Sequence, residues 1–348
     1  MVKLMLTQTV GNRTYDYFSN VGVRDTGLAV GVAVGDTNSV YILARQHEQV
    51  ADVSWDKTAV HAKVNKYFIG TTAGDEERDI EFGGYGSEPG SLIWPAGIAL
   101  DREENVYVTD EWMNRISVFS STGELLKVWG SEGTGSGQFN RPAGIAIDSD
   151  ENVYVVDSLN HRVQKLTKDG ECLIQFGEYG RQVGQFDSPW GIAVDKNGYI
   201  YVADHKNHRV QKLDPDGLCV ASFGSYGTGD QELNRPSDVT IDPEGDVYIC
   251  DWANNRVQIY EQEGEFIASL IGDAQTPSKW NQQAINSNID VVKARRRVAS
   301  LEPEWRLAFP VSVEFDETNS RIIIADSQRW RVQIYNKMLD YIEPQANL

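Results

Sequence analysis

The amino-acid sequence predicts an all-β fold, a six-bladed β-propeller, as one domain over residues 1–348. The first observation is a sequence repeat with a period of 47 residues between positions 83 and 272. A proline, an aspartate and an arginine mark each copy, at Pro95, Pro142, Pro189 and Pro236, at Asp110, Asp157, Asp204 and Asp251, and at Arg115, Arg162, Arg209 and Arg256. A fixed period of this length in a β-rich sequence is typical of propellers and related repeat arrays.

The second observation is the content of each repeat. The first complete copy has four short runs rich in β-branched or aromatic residues, Gly97–Leu100, Val106–Thr109, Arg115–Phe119 and Leu125–Trp129. Turn residues separate the runs, and four strands of this length make one blade. Because no run resembles a crossover helix, the strands of a blade should pair antiparallel.

Two divergent copies raise the number of blades from four to six. The C-terminal copy contains Pro310, Ile322–Asp326 and Arg331–Tyr335. The N-terminal copy reads Gly31-Val-Ala-Val and Val40-Tyr-Ile-Leu, with Ala44 in place of the repeated aspartate. The segment from Tyr15 to Val21 is predicted to close the ring as the outermost strand of the last blade, which protects an open edge.

Two insertions interrupt the repeat. Residues 273–305 carry apolar side chains at roughly helical spacing after a candidate cap at Ser278, which predicts a partly helical insertion between blades five and six. Residues 49–72 form a second, irregular excursion after Arg45. Since extra loop on a rigid scaffold is usually functional, we expect a lid over one mouth of the central channel, beside Arg45.

The charge balance restricts the partners. The chain has 32 Lys and Arg against 51 Asp and Glu, a net charge of −19, which disfavours nucleic acid and anionic membrane surfaces. No secretory signal and no apolar run of membrane-spanning length are evident. Cys172, Cys219 and Cys250 suggest thiols in a reducing compartment rather than a disulfide framework. We therefore expect a cytoplasmic protein.

The repeats resemble a known family. The units that begin at Pro142-Ala-Gly-Ile and Pro189-Trp-Gly-Ile, and continue to Asn160-His-Arg-Val-Gln and Asn207-His-Arg-Val-Gln, are similar to NHL repeats. The resemblance implies a propeller and says little about function, because NHL propellers serve as enzymes, RNA readers and adaptor surfaces. The motif from Val40 to Arg45 also resembles the opening of the peptidyl-α-hydroxyglycine amidating lyase propellers.

The resemblance to the amidating lyases does not extend to the metal-binding residues of that family. Its zinc-binding histidines fall on the residue after the motif proline in blades two, four and six, where this chain has Ala96, Trp190 and Val311. None of these side chains has an imidazole, so we expect no zinc. The positions of its calcium-binding aspartate and catalytic tyrosine are held by Ser312 and Leu159. One substrate-binding arginine is retained as Arg45, a second is replaced by His205, and a calcium ion is left open as a cofactor.

Function is expected where the repeats differ. The residue after the motif proline reads, around the ring, Val30, Ala96, Ala143, Trp190, Ser237 and Val311. The residue after the repeated aspartate reads Arg45, Glu111, Ser158, His205, Trp252 and Ser327. Equivalent positions on a closed ring face one axis, so we expect these side chains to meet at one mouth of the channel.

These residue types suggest roles. Arg45 offers a rigid fork for an anion, while His205 and Glu111 could move protons, the latter with a pKa raised by burial. Substrate contacts are expected from Trp190, Trp252, Trp112, Ser158, Ser237 and Ser327, with the tryptophans as an apolar wall. The alternatives are that Arg45 pairs with Glu111, that His205 is a polar loop residue, and that the tryptophans plug the channel. Asp238, which replaces a motif glycine, is expected to cap a loop, with cation binding as the alternative.

The sequence therefore predicts a propeller that binds a small organic molecule, anionic with an apolar body. A lyase- or hydrolase-type enzyme is the favoured function, with catalytic residues His205, Glu111 and Arg45. The alternative is a non-catalytic scaffold for protein interaction. The repeated Asp and Arg, as in Asp157 with Arg162, are expected to be structural, because near-identical copies cannot each be an active site.

Overall fold

The computed structural model describes residues 7–22, 27–45 and 62–341. Their strands form six antiparallel sheets, the blades of a propeller, so the predicted fold class is confirmed. Blades one to three contain β3 (Leu28–Gly35), β4 (Ser39–Arg45), β5 (Lys63–Phe68) and β6 (Glu77–Gly83); β7 (Pro95–Leu100), β8 (Val106–Asp110), β9 (Arg115–Phe119) and β10 (Leu125–Trp129); and β11 (Pro142–Ile147), β12 (Val153–Asp157), β13 (Arg162–Leu166) and β14 (Cys172–Phe176).

Blades four to six follow the same order from the innermost strand outward. They contain β15 (Ile192–Val194), β16 (Ile200–Asp204), β17 (Arg209–Leu213) and β18 (Cys219–Phe223); β21 (Pro236–Ile241), β22 (Val247–Asp251), β23 (Arg256–Tyr260) and β24 (Phe266–Leu270); and β25 (Pro310–Asp316), β26 (Arg321–Asp326) and β27 (Arg331–Leu339). A short parallel pair, β19 (Ser225–Tyr226) and β20 (Glu232–Leu233), lies in the connection between blades four and five.

The N-terminal strand closes the ring, as predicted. β2 (Arg13–Val21) pairs antiparallel with β27 from Arg13 opposite Leu339 to Val21 opposite Val332, and β1 (Gln8–Val10) adds a fifth strand outside it. The Arg13 guanidinium also bonds the Asp246 carboxylate of blade five at 2.7 and 2.8 Å. The N-terminal strand and the last strand of the described chain thus complete the same blade.

The blades pack face to face, which explains the apolar runs in the sequence. The second strands of blades two to five are buried at every position, with Tyr154, Tyr201 and Tyr248 fully inside. A strand covered on both faces has no solvent side, so it shows a continuous apolar run rather than alternation.

The repeated aspartates are structural, as expected. In blades three to six the aspartate at the end of the second strand bonds the arginine at the start of the third at 2.8, 2.9, 2.7 and 2.8 Å. Asp204, for example, is fully buried and also accepts the Asp187 backbone N–H at 2.8 Å. Each carboxylate therefore joins a turn to a strand end.

A second repeated contact links neighbouring blades. In blades two to five, a residue in the left-handed conformation just before the third strand accepts a backbone N–H from the next blade. The four pairs are Asn114 Oδ1 with Arg141 N at 2.8 Å, His161 Nδ1 with Ser188 N at 3.1 Å, His208 Nδ1 with Arg235 N at 3.1 Å, and Asn255 Oδ1 with Phe309 N at 2.8 Å. Because a backbone N–H can only donate, Nδ1 is the bare nitrogen in both histidines, and burial lowers the pKa of His161 and of His208.

The insertion is partly helical, as predicted. It contains α1 (Lys279–Ser287), capped by the Ser278 hydroxyl, α2 (Ile289–Arg295) and α3 (Glu302–Trp305). Ser278 donates to the Gly22 carbonyl, the Lys279 N–H donates to Glu76, and Arg329 donates to the Pro303 carbonyl. These contacts hold both ends of the insertion against blades six and one, and the lid over Arg45 stays a prediction. Of the other excursion, residues 49–61 lie outside the described residues, and the expectation of an irregular segment is wrong for Lys63–Phe68, which form strand β5.

A helix that could cross a membrane would need a long apolar run. In the described ranges, no helix has that combination of length and apolar character.

Candidate functional site

The two mouths of the channel are defined by the innermost strands. In blade one, Leu28 at the start of β3 lies opposite Arg45, and Gly35 at its end lies opposite Ser39. The start of each innermost strand and the end of each second strand therefore share one mouth, here called the Arg45 mouth. The ends of the innermost strands form the opposite mouth.

Arg45 lies at the wall of the channel with an unused hydrogen-bond donor. Its Cζ atom lies 4.5 Å from the centre of the Trp94 ring, in a cation–π arrangement. Its Nη1 atom is buried and has no hydrogen-bond partner in the described part of the chain. Burial lowers the pKa of Arg45, and the nearby Glu111 and Asp110 carboxylates raise it. An arginine remains charged here, so this donor is available to an anion.

Glu111 lies between Arg45 and Trp190. Burial raises the pKa of Glu111, and the Arg45 charge and the Trp190 indole N–H offset part of that rise. Among the described residues no ion pair joins Arg45 to Glu111, so the direct pairing left open by the sequence is not formed. The two side chains influence each other through space and keep separate hydrogen-bonding capacity.

His205 is held between two tryptophans. Its ring centre is 4.4 Å from that of Trp190, edge to face, and 6.0 Å from that of Trp252. Nδ1 lies 3.1 Å from the Pro236 carbonyl oxygen. A carbonyl can only accept, so Nδ1 carries the hydrogen and Nε2 keeps its lone pair. Burial lowers the pKa of His205 to about 4, so the ring is neutral at pH 7.

Contacts join Glu111, Trp190, His205 and Trp252, and the Arg45 charge acts on Glu111 through space. These five residues are here called the mouth row. The rings of Trp190 and Trp252 are 6.3 Å apart, and Trp252 contacts Phe309 at 4.7 Å. The structure thus brings together the five residues that the sequence selected from different blades.

The other predicted contacts differ in accessibility. Trp112 is 39 % exposed, Ser158 is partly buried, and Ser327 is buried. Ser237 is also buried, and its hydroxyl donates to the Pro310 carbonyl at 3.0 Å. The hydrogen of Ser237 is therefore already used to join blades five and six, and only its lone pairs could meet a ligand.

The channel itself is narrow and lined by small residues. Two positions after the motif proline, four blades have a glycine, Gly31, Gly97, Gly144 and Gly191. A Cβ atom at Gly191 would lie 2.4 Å from the Asp238 Cα atom, so the glycine makes room for blade five. The cavity at this level has a volume of about 60 Å³, enough for a few waters. An organic ligand must therefore sit mainly at the mouth.

Asp238 differs from the expectation that it caps a loop. It lies within β21, and its Oδ2 atom accepts the Val313 N–H of blade six at 3.0 Å. The Ser312 hydroxyl, which accepts the Val32 N–H of blade one at 3.2 Å, also bonds the Asp238 carboxyl. Asp238 thus helps join three innermost strands, and burial raises its pKa to about 7.

Sequence reasoning missed Glu314. Four positions after the motif proline, the blades have Ala99, Ala146, Ala193, Thr240 and Glu314, with Ala33 at the matching place in blade one. Glu314 lines the channel and the opposite mouth, and burial together with the Asp238 charge raises its pKa to about 7. The same comparison of repeats, extended three residues further along the strand, would have found it.

A metal centre would need several clustered donors. In the part of the chain that the structure describes, no group of three or more His, Cys, Asp and Glu side chains is arranged to hold a metal ion.

Known structures share this architecture. The chain is similar to a catalytically inactive virginiamycin B lyase from Staphylococcus aureus with quinupristin, at 15 % identity and a TM-score of 0.54 over 93 % of this chain and 99 % of that one. A streptogramin B lyase matches at 13 % identity and a TM-score of 0.55, over 94 % and 98 %. A protein of unknown function from Bacteroides thetaiotaomicron matches at 17 % identity and a TM-score of 0.59, over 93 % and 76 %. At these identities the likeness shows the fold.

A sequence-family model matches the repeats. No curated protein sequence matches the chain significantly. The family model of the NHL repeat matches residues 92–119, 139–166, 186–213 and 233–260, one segment in each of blades two to five. The chain is therefore a six-bladed β-propeller that carries four NHL repeats.

Proposed function

We propose that this propeller binds a small organic anion with an apolar body at the Arg45 mouth and acts on it as a lyase- or hydrolase-type enzyme. The observation that carries the proposal is the mouth row. It combines an unpaired buried guanidinium N–H, two groups that can hold or accept a proton, and two large aromatic rings. A structural scaffold does not need this mixture, and the other blades hold serines there.

Arg45 would bind the anionic group. A buried donor without a partner costs about 1–3 kcal/mol, and a ligand oxygen at Nη1 would remove that cost. Trp94 holds the guanidinium from the other side, so Arg45 needs little reordering when a ligand arrives. An apolar part of the ligand would lie against Trp190 and Trp252.

His205 and Glu111 would handle the proton. The Pro236 carbonyl fixes the tautomer of His205 with a free lone pair on Nε2, which is the form required of a general base. A bound anion beside the ring would raise the pKa of His205 from about 4 toward neutrality and strengthen the base. Glu111, with its raised pKa, would donate a proton of its own to the leaving group, and exchange with solvent would then take the proton from His205 and restore the one on Glu111.

The similar structures support this class of reaction. Two of them are lyases by their descriptions, one of virginiamycin B and one of streptogramin B. A lyase on the same architecture supports the proposal that such a propeller can act on an organic substrate. The net charge of −19 favours a small molecule over nucleic acid as the ligand, and the three free thiols favour a cytoplasmic location.

The first test of this proposal is a binding screen, which also identifies candidate substrates. A panel of organic carboxylates and their neutral esters is screened by thermal shift against the wild type and Arg45→Ala. Carboxylates should stabilise only the protein that keeps Arg45, and esters should have little effect. Equal stabilisation of both proteins would refute the anion site.

The catalytic part is tested on whatever ligand is turned over. His205→Ala and Glu111→Gln should each lower kcat by about a hundredfold or more, the usual scale for positioned acid–base groups. Lys206→Ala is the matched control, since Lys206 is an exposed cation beside His205. Full activity of the double variant at 205 and 111 would refute the proposed roles.

A non-catalytic interaction scaffold is the second candidate. The observation in its favour is a set of exposed aromatic residues in the connections to blades four and five, with Tyr179 66 % and Tyr226 70 % exposed. Aromatic side chains are enriched at protein interfaces. If this function is correct, Tyr179→Ala and Tyr226→Ala should abolish partner binding, while His205→Ala should leave it unchanged.

A further inference from the structure

The mouth opposite to Arg45 contains a larger cavity. It is formed where the innermost strands end and turn back, around Gly35 and Glu317, and has a volume of about 360 Å³. Small-molecule sites in proteins usually have about 300–1,000 Å³. The cavity is therefore large enough for a small organic molecule, unlike the narrow channel above it.

Equivalent residues form an apolar ring around this mouth. Five positions after the motif proline, five blades place a half-buried aliphatic side chain at the cavity, namely Val34, Leu100, Ile147, Val194 and Ile241. Large apolar side chains left partly exposed around one concave surface mark a site for an apolar body. These side chains also pack against the cores between blades, and their exposed parts border the cavity on five of its six sides.

The charged groups of the cavity have one sign. Its ionisable lining consists of Asp36, Glu314, Asp316 and Glu317, and no Lys, Arg or His side chain lines it in the described residues. Asp316 is already engaged by Asn319 and has the Arg321 charge nearby. Asp36 and Glu317 are exposed at the rim, where water screens them. Glu314 is the carboxyl group at the inner end.

Glu314 has an oxygen free for a ligand. Both of its hydrogen bonds, from the Thr240 hydroxyl and from the Phe315 N–H, reach Oε1 at 3.3 Å. Oε2 accepts no hydrogen bond from the described residues, and no ion pair involves Glu314 among them. Since Glu314 lines both the channel and the cavity, its carboxyl group lies at the inner end of the apolar ring.

We infer that the mouth opposite to Arg45 is a second binding site, which takes an organic ammonium ion with an aliphatic body. The ammonium group donates to Glu314 Oε2 and meets the all-acidic lining, while the aliphatic part packs inside the apolar ring. An inorganic cation would make no use of the apolar ring, and an organic anion would be repelled because the ionisable side chains of the lining are all carboxylates. This site does not depend on the function proposed for the Arg45 mouth.

The test uses hexylammonium as the probe, with hexanol and hexanoate as neutral and anionic analogues of the same chain. Isothermal titration calorimetry of the full chain should show that affinity decreases from hexylammonium to hexanol and from hexanol to hexanoate. Glu314→Gln should weaken hexylammonium binding by about tenfold, the scale of one charged hydrogen bond. Glu317→Gln is the matched control at the rim and should change the affinity for hexylammonium by less than about twofold. Arg45→Ala should leave it unchanged, which separates this site from the other mouth.

A second measurement needs no variant. The pKa of Glu314 is raised to about 7 by burial and by Asp238, so the carboxylate form increases between pH 6 and 8. Hexylammonium should bind the wild type more tightly at pH 8 than at pH 6, and hexanol should not. Equal affinity for hexylammonium and hexanol at pH 8 would overturn the inference. So would binding of hexylammonium that Glu314→Gln leaves intact.

Discussion

The neutral state of His205 has a measurable effect on stability. The ring donates from Nδ1 to the Pro236 carbonyl and is packed between Trp190 and Trp252. Burial lowers its pKa from 6.5 to about 4. The folded protein therefore binds fewer protons than the unfolded chain between these two values. The stability that His205 contributes is complete above pH 6.5 and is lost as the pH falls toward 4.

The size of the loss follows from the two pKa values. With a pKa of 6.5 unfolded and about 4 folded, the loss is about 2 kcal/mol at pH 5 and about 3 kcal/mol at pH 4. Asp238 and Glu314 act in the opposite direction, because their raised pKa values make the folded state bind more protons over the same range. The pH dependence of the free energy of unfolding is thus a sum over several groups. Only the difference between the wild type and a His205 variant isolates the contribution of His205.

The assay is urea unfolding of the wild type and of His205→Gln at pH 7 and pH 5. Glutamine can still donate to the Pro236 carbonyl and does not titrate. The wild type should lose about 2 kcal/mol more than the variant between the two pH values. Titration of the His205 ring by NMR gives the pKa directly. The same pH dependence in both proteins, or a measured pKa near 6.5, would refute the buried neutral imidazole and weaken its proposed role as a base.

Three further outcomes are expected from the fold. Asp204→Ala should cost about 3–5 kcal/mol in urea unfolding, because a buried arginine and a backbone N–H lose their partner, whereas Asp216→Ala on an exposed turn should stay within about 0.5 kcal/mol. His161→Asn should keep the stability at pH 7, as asparagine makes this contact in blades two and five, and should reduce the loss at pH 5; an unchanged loss would contradict the acceptor role of Nδ1. Gly191→Ala should destabilise the protein by about 1–3 kcal/mol through overpacking against blade five, and a variant as stable as the wild type would count against the tight inner ring.

The sequence by itself determined the ring and the residues of one mouth. The period of 47 residues predicts the blades, and the strands of blade two agree closely with the predicted runs, as Arg115–Phe119 and Leu125–Trp129 show. Comparison of equivalent positions selected Arg45, Glu111 and His205. The prediction of the blades succeeds because a repeat array encodes local contacts. The selection of the mouth residues rests on the rule that closure of the ring brings equivalent positions to one axis.

Only the tertiary structure decided how the side chains engage one another. Arg45 and Glu111 could have paired, and in the described residues no ion pair joins them and Nη1 stays unused. Asp238 could have capped a loop, and it instead bonds Val313, 75 residues away, in the next blade. Such contacts depend on the angle and separation of packed sheets, which the repeat pattern does not contain. The free oxygen of Glu314 at the opposite mouth likewise depends on how strands from different blades pack around the channel.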